Sequence, residues 1–329
     1  MTSLIPVGIS GMGRYVPERR VPNTEFESLL DTSDEWISQR TGIHERRYAR
    51  DDELTSDMGA VAAREAIADA GLTPDDIDLV ICCTVTPDYP FPATACQIGH
   101  KIGAERAGGF DLMAACSGWV LGALTASQYV ATGAMRHVLV VGVEKLSSVI
   151  DFEDRTTCVI FADGAGATVF SPLEFAKRGE YLHGSAGMRG GTEDILSIPA
   201  GGTRAPASAE TVAKRQHFIH MEGRQVFRFA VNTFADLVRK CIEGHTIDDL
   251  GLVVPHQVNM RIIESAASQV GIPLEKVFVN IERYGNTSAA SVPIALYEAR
   301  EAGRLVEGKI VSCVAFGGGL TWGHVALRW

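Results

Sequence analysis

Cys116 stands in FDLMAACSGW, between a short apolar run and the small residues Ser117 and Gly118 that open a helix-like stretch. A cysteine attacks as its thiolate, and the unpaired N–H groups of a helix N-terminus favour that charge. An ordinary thiol, with a pKa of about 8.5, is only about a few per cent ionised at neutral pH. The setting therefore predicts a Cys116 thiol held below its ordinary range, by about 1.4 to 2.8 kcal/mol, with a neighbouring histidine sharing the task. The bland alternative is a small buried hydrophobe. The other six cysteines read that way: Cys82, Cys83 and Cys313 lie inside strand-like runs, and none opens a helix as Cys116 does.

Two further polar residues occupy similar places. His256, in VPHQVN, follows an apolar strand and precedes a helix. One of nine histidines, it reads by itself more readily as a structural group than as a catalyst. Asn286, in YGNTSAAS, is capping chemistry by default. GGGLTWG (317–323) lacks the Lys-Ser/Thr of a P-loop, and no GxGxxG follows the first strand, which weakens nucleotide-fold readings. Three glycines do let a backbone aim N–H groups at one point, as an oxyanion hole needs.

The elements that must hold these residues alternate. DLVICCT, GFDLMAA, HVLVVGVE and CVIFADGAGATVF read as strands, separated by helical SDMGAVAAREAIADA, ATACQIGHKIGA and SGWVLGALTASQYVATG. Residues 171–220 show no long periodic element and read as a connection. Helices over EGRQVFRFAVNTFADLVRKCIEG, NMRIIESAASQVG and TSAASVPIALYEAREAG then alternate with strands LGLVVP, KVFVN, KIVSCVAFG and GHVALRW. This is the pattern of mostly parallel, buried sheets.

PDDIDLVICC and TIDDLGLVVPH overlay when Asp76 is placed on Asp249, which puts Cys83 opposite His256. Cys116 and Asn286 then follow at similar intervals, each before a helix of small residues. An internal duplication would bring such strand ends to one crevice, where α/β sheets bind ligands.

A chain of 329 residues exceeds one ordinary core and predicts two halves. Its composition, 46% hydrophobic and 21% charged, is that of a globular protein, and its net charge of −10 argues against nonspecific nucleic-acid binding. Seven cysteines without a CxxC pair read as reduced thiols, which predicts a cytoplasmic location. No secretory leader pattern and no apolar run of membrane-spanning length occurs, so no membrane association is expected.

With TSDEWISQRTGIHERR (32–47), DRTT (154–157), MEGRQVF (221–227) and PHQVNMR (255–261), these segments resemble the β-ketoacyl-acyl carrier protein synthase III family of the thiolase superfamily, nearly end to end. The resemblance implies an α/β thiolase-like fold: two duplicated halves, 1–175 and 176–329, in a five-layer α-β-α-β-α sandwich, normally a homodimer. It implies decarboxylative condensation of a short acyl-CoA primer with malonyl-acyl carrier protein, initiating fatty-acid synthesis through an acyl-cysteine. A priming or tailoring ketosynthase of polyketide metabolism shares the same triad and is the alternative. A cysteine hydrolase would need a base that activates water, and a non-catalytic acyl-CoA binder would not need the intact Cys, His and Asn set.

Carried over residue by residue, the resemblance makes Cys116 the nucleophile and His256 and Asn286 hydrogen-bond donors to the malonyl thioester oxygen. The N–H groups of Cys116 and Gly318 form the oxyanion hole. Thr32, Trp36, Arg40, Arg155 and Asn259 would bind coenzyme A, a substrate thioester here, with no metal or other cofactor implied. Trp36 and Arg40, at i and i+4, share a helix face, which suits a purine. Phe91 would close the acyl pocket across the dimer, with Met113 standing where a small or polar residue is usual. Gln257, Arg228 and Arg261 would dock the carrier. Since the carrier is acidic and the chain carries −10, a local basic patch must overcome the long-range field.

Overall fold

The apolar runs pair into two sheets, as a computed structural model that describes residues 4–329 shows. The first holds β1 (Val7–Tyr15), β2 (Leu79–Cys83), β3 (Gly108–Leu112), β4 (Val138–Lys145) and β5 (Asp163–Pro172) in the order β1-β5-β4-β2-β3. The second holds β6 (Glu180–Gly187), β7 (Leu250–Pro255), β8 (Ile310–Gly317) and β9 (Thr321–Arg328) in the order β7-β8-β9-β6. β2 runs parallel to β3 and β4, and β7 parallel to β8; the remaining pairs are antiparallel.

Helices cover both sheets and separate them. α1 (Asp34–Thr41) lies in an excursion that reaches the site. α2 (Thr55–Asp69) and α3 (Thr94–Ile102) pack Ala62, Ala66 and Ile98 on Val141 and Val169 of the first sheet. α4 (Gly118–Ala131) and α7 (Ser291–Glu301) lie between the sheets, where Trp119, Val292 and Leu296 meet Ile81, Val254 and Val325. α5 (Gly223–Cys241) and α6 (Met260–Val270) cover the second sheet through Phe234, Val238 and Ile263. The result is the expected five-layer α-β-α-β-α sandwich. Each large apolar side chain buried in these layers contributes about 1.5 to 3 kcal/mol.

The middle layer explains the small residues of α4 and α7. A Cβ on Gly122 would lie 2.7 Å from Cys83 Sγ, and one on Gly142 only 2.3 Å from the carbonyl oxygen of Ala289. The two halves touch backbone to backbone.

The duplication is visible in matching local devices. Asp76 caps Thr73 and Asp249 caps Thr246, each carboxylate accepting the threonine N–H at 2.8 Å. Their offset, 249 − 76 = 173, also relates Cys83 to His256, Ala115 to Ser288 (φ 46° and 48°) and the first residues of α4 and α7. It pairs Cys116 with Ala289, and Met113 with Asn286. Cys116 and Asn286, which follow Cys83 and His256 at similar intervals, are therefore not equivalent positions: the shared left-handed residue sets the register.

Two further expectations change. The stretch 171–220 contains β6, which pairs along β9. EYLHGSAG hides it, because its half-buried positions carry small and polar residues. KVFVN forms only one bridge, Val277 to Val253, with Phe278 N–H donating to Val253 O at 2.8 Å. The Asn280 N–H turns to the Gln257 side chain instead, at 3.0 Å, which ends the ladder.

Gly142→Ala should lower stability by about 1–3 kcal/mol through overpacking against a backbone that cannot yield. Thermal unfolding tests this, and an unchanged Tm contradicts the contact.

Candidate active site

Cys116 lies in the single turn Ala115–Ser117, between β3 and α4, and is 7% exposed. The end of β8 closes on it: a Cβ on Gly317 would lie 2.7 Å from the Cys116 nitrogen and 3.1 Å from its Cβ. Gly318 follows, against Ala115, and Gly319 adopts a φ of 71°. The glycine run is thus what lets this backbone reach the cysteine. Three non-glycine residues with left-handed backbone, Ala115, Ser288 and Leu320 (φ 46°, 48° and 40°), surround the same point. Such conformations cost about 1–3 kcal/mol each and persist where surrounding structure imposes them.

The second half supplies the partners. Asn286 is fixed by its backbone, accepting from Ala162 N–H and donating to Ile160 O, both at 2.9 Å. Its Oδ1 accepts the Ser288 N–H at 2.8 Å, so the amide NH₂ is left to donate. His256 emerges from β7, with Nδ1 2.7 Å from Ser291 Oγ and its ring edge-on to Phe316 at 5.8 Å. Ser291 Oγ also donates to Ser288 O at 2.9 Å. The Ser288 side chain lies near Cys116 and favours its thiolate. Asn286 and His256 are therefore joined through Ser288 and Ser291, whose turn packs against that of Cys116.

Burial dominates the electrostatics. Desolvation pushes the Cys116 thiol up to about 12, although the nearby Ser288 side chain works the other way. This reverses the expected depression: removal from water outweighs the helix terminus. Desolvation also brings His256 down to about 3, so its ring is neutral. A neutral ring has two tautomers, and Ser291 has one proton to offer. When that proton goes to Ser288 O, Nδ1 donates to Ser291 and Nε2 is a base; when it goes to Nδ1, Nε2–H is a donor.

The expected coenzyme residues also converge. The guanidinium carbons of Arg40 and Arg155 lie 4.6 and 5.1 Å from the Trp36 ring centre. Asn259 caps α6, accepting from Arg261 N–H at 2.9 Å, and its amide donates to Arg40 O at 2.9 Å. Thr32 Oγ1 is buried with no partner among the described residues.

The docking and pocket residues divide. Arg228 and Arg261 are exposed. Gln257 is not: 1% exposed, it donates to Pro255 O at 2.9 Å and Phe278 O at 3.1 Å and accepts from Asn280 N–H. It straps the loop behind His256 and cannot meet a docked protein. Phe91 and Met113 are 85% and 74% exposed, so neither lines a pocket within one chain.

Sequence reasoning passed over Ser288 and Ser291, hidden in a small-residue helix start, and Glu144. Glu144 is fully buried, accepts from Thr84, Val85, Thr86 and Ser288, and is raised by desolvation to about 7. A lone carboxylate ending the apolar run VLVVGVE was its available signal.

Two duplicated halves in five layers, with a cysteine from one half and histidine and asparagine from the other, define a thiolase-fold enzyme of the condensing type. Profiles described as 3-oxoacyl-[acyl-carrier-protein (ACP)] synthase III and its C-terminal part match residues 110–186 and 242–329. The chain is 52% identical over 326 residues to the β-ketoacyl-[acyl-carrier-protein] synthase III of Symbiobacterium thermophilum, covering 98% of each. The crystal structure of 3-oxoacyl-[acyl-carrier-protein] synthase III from Aquifex aeolicus is 42% identical, with a TM-score of 0.90 over 98% of this chain and 100% of that one. The priming β-ketosynthase of the R1128 polyketide pathway is 36% identical, with a TM-score of 0.90 over 100% and 98%. The chain belongs to the β-ketoacyl-[acyl-carrier-protein] synthase III family of acyltransferases. Among the described residues no helix is long and apolar enough to cross a membrane.

The folded-state pKa of His256, about 3, lies below its ordinary 6.5. As pH falls through 6.5 the unfolded chain takes up a proton that the folded chain refuses, so stability is lost on acidification. His256→Gln should flatten that loss between about pH 6.5 and 5, read from urea unfolding at each pH. An unchanged slope contradicts a buried, neutral ring.

Proposed function

We propose that the protein condenses a short acyl-CoA primer with malonyl-acyl carrier protein, releasing carbon dioxide and starting fatty-acid synthesis. The observation that carries this reading is the packing of the Cys116 turn against Asn286 and His256, which Ser288 and Ser291 hold together. Cys116 attacks the primer thioester and keeps the acyl group as coenzyme A leaves. The Cys116 and Gly318 N–H groups, brought together by Gly317, receive the tetrahedral oxyanion. In this half, His256 Nε2 serves as acceptor. In the condensing half, the other tautomer and the Asn286 NH₂ donate to the malonyl thioester oxygen as carbon dioxide departs. The enolate then attacks the acyl-cysteine.

Trp36, Arg40, Arg155, Asn259 and the unpartnered Thr32 hydroxyl form the coenzyme A end of the site. A cleft of about 980 Å³ beside α5 gathers Arg189, Arg224, Arg228 and Lys240 against one acid, Asp236. With Arg261, it supplies the local positive field an acidic carrier requires. The homodimer is supported by the free edge of β3 and the outward Phe91 and Met113. Asp111 of β3 accepts from Thr94 and Ala95 N–H, which fixes the Phe91 loop beside that edge. A second reading, priming of polyketide assembly, is favoured by the likeness to the R1128 enzyme and differs only in the acceptor.

Acetyl-CoA should place one acyl group on Cys116, seen by intact mass, and Cys116→Ala should abolish it. Asn286→Ala should keep acylation while slowing condensation about 10²–10³-fold. Acylation of Cys116→Ala overturns the reading. Arg228→Glu with Arg261→Glu should raise KM for malonyl-acyl carrier protein and leave KM for acyl-CoA unchanged; equal effects on both would remove the docking assignment.

A further inference from the structure

After Trp119, Arg46 is the largest fully buried side chain, and no step above uses it. It stands in a two-stranded ribbon, Arg19–Pro22 with Glu45–Tyr48, opposite Val21. Its guanidinium carbon lies 4.7 Å from the Phe26 ring centre, Nη1 donates to Val21 O at 3.1 Å, and Nη2 donates to Val159 O at 2.7 Å. Nε is buried without a partner among the described residues, and desolvation works against the charge. Such a cation is a weak source of stability. What a guanidinium adds over a neutral donor is a rigid fork that holds two carbonyls at set directions.

The second of those carbonyls belongs to the segment that holds Asn286. Residues 155–160 form a turn outside both sheets. Its last three carbonyls are taken in order: Cys158 O accepts the Tyr48 hydroxyl at 3.2 Å, Val159 O accepts Arg46, and Ile160 O accepts Asn286 N–H at 2.9 Å. Tyr48 and Arg46 reach neighbouring carbonyls because residues i and i+2 of a strand share a face. Asn286 pairs with this edge through a single bridge, at Phe161, and Ala162 N–H closes it on the Asn286 carbonyl at 2.9 Å. Gly285 has a φ of 62°, and a Cβ there would lie 3.0 Å from Ile160 O and 3.2 Å from Arg46 Cβ. Arg46 therefore backs the residue before Asn286 and grips the residue before its hydrogen-bond acceptor.

We infer that Arg46 and Tyr48 are positioning residues for Asn286: by gripping the two carbonyls before Ile160 they fix the edge from which Asn286 hangs, and so the direction of its amide. Ser288 N–H holds the Asn286 Oδ1, and the Ile160 edge holds the backbone behind it. Both are needed to aim the NH₂. Cys116 is held instead by the approach of Gly317, so loosening the edge leaves the acylation half in place. The inference rests on Asn286 being a donor in the condensing half of the proposed function.

Arg46→Met keeps an unbranched apolar stem and removes the fork, and Tyr48→Phe removes one hydroxyl. Amide hydrogen exchange, read by mass spectrometry, tests both without turnover. Exchange of Asn286 N–H and Ala162 N–H should quicken about tenfold or more in Arg46→Met and less in Tyr48→Phe. His256 N–H, bonded to Val314 O at 2.8 Å, should keep its rate. Arg46→Met should also slow condensation about 10–100-fold while slowing acylation of Cys116 by acetyl-CoA less than about threefold. In an Asn286→Ala background the same change should slow condensation by less than about twofold. Unchanged exchange at Asn286, an equal rise at His256, or equal slowing of the two halves overturns the inference, as does an undiminished loss in the Asn286→Ala background. Where Arg46→Met does not fold, Tyr48→Phe decides by the same readouts. Quickened exchange at Asn286, in a protein whose Asn286→Ala variant condenses at the wild-type rate, upholds the positioning and removes Asn286 from the proposed chemistry.

Discussion

The structure depends on the close approach of two backbone turns, Ala115–Ser117 from one half and Ser288–Ala290 from the other. Neither turn carries a complete site. Gly142 admits the second turn to the first sheet, and Gly317 admits the end of β8 to the Cys116 backbone. Side chains at either position would hold the halves apart, so the chemistry is gated by the absence of two methyl groups. The left-handed residues that begin both turns are the local cost of that approach, and the five-layer packing sustains it.

Burial then decides what the polar groups are. In water the histidine and glutamate of this site would titrate near neutrality or well below it and the cysteine above it; here each is driven toward its uncharged form. The resting site holds little charge, and hydrogen bonds rather than ion pairs orient it. A charge that develops during reaction meets donors already in place and almost no competing water.

Most of the architecture is legible in the sequence because the buried strands are unbroken apolar runs and the inner helices are rich in small residues. β6 escapes because EYLHGSAG is half-buried without being hydrophobic. The proposed trio of Cys116, His256 and Asn286 is legible because each member stands at a change of element, while Ser288, Ser291 and Glu144 look like filler within elements. Gln257 misleads for the opposite reason: PHQVNMR looks like a polar surface loop, but its glutamine satisfies buried backbone. The direction of the Cys116 shift could not be read either, since local sequence shows the helix terminus and not the depth of the site.

The paired inner helices have one more consequence. Cys116 stands at the head of α4, while Ser291, which holds His256, opens α7, and both helices lie in the layer clamped between the sheets. The thickness of that layer therefore works as a spacer gauge for the active site. A sliding of one sheet over the other would change the gap between the Cys116 thiol and the His256 imidazole directly, so residues remote from the site calibrate its internal distance.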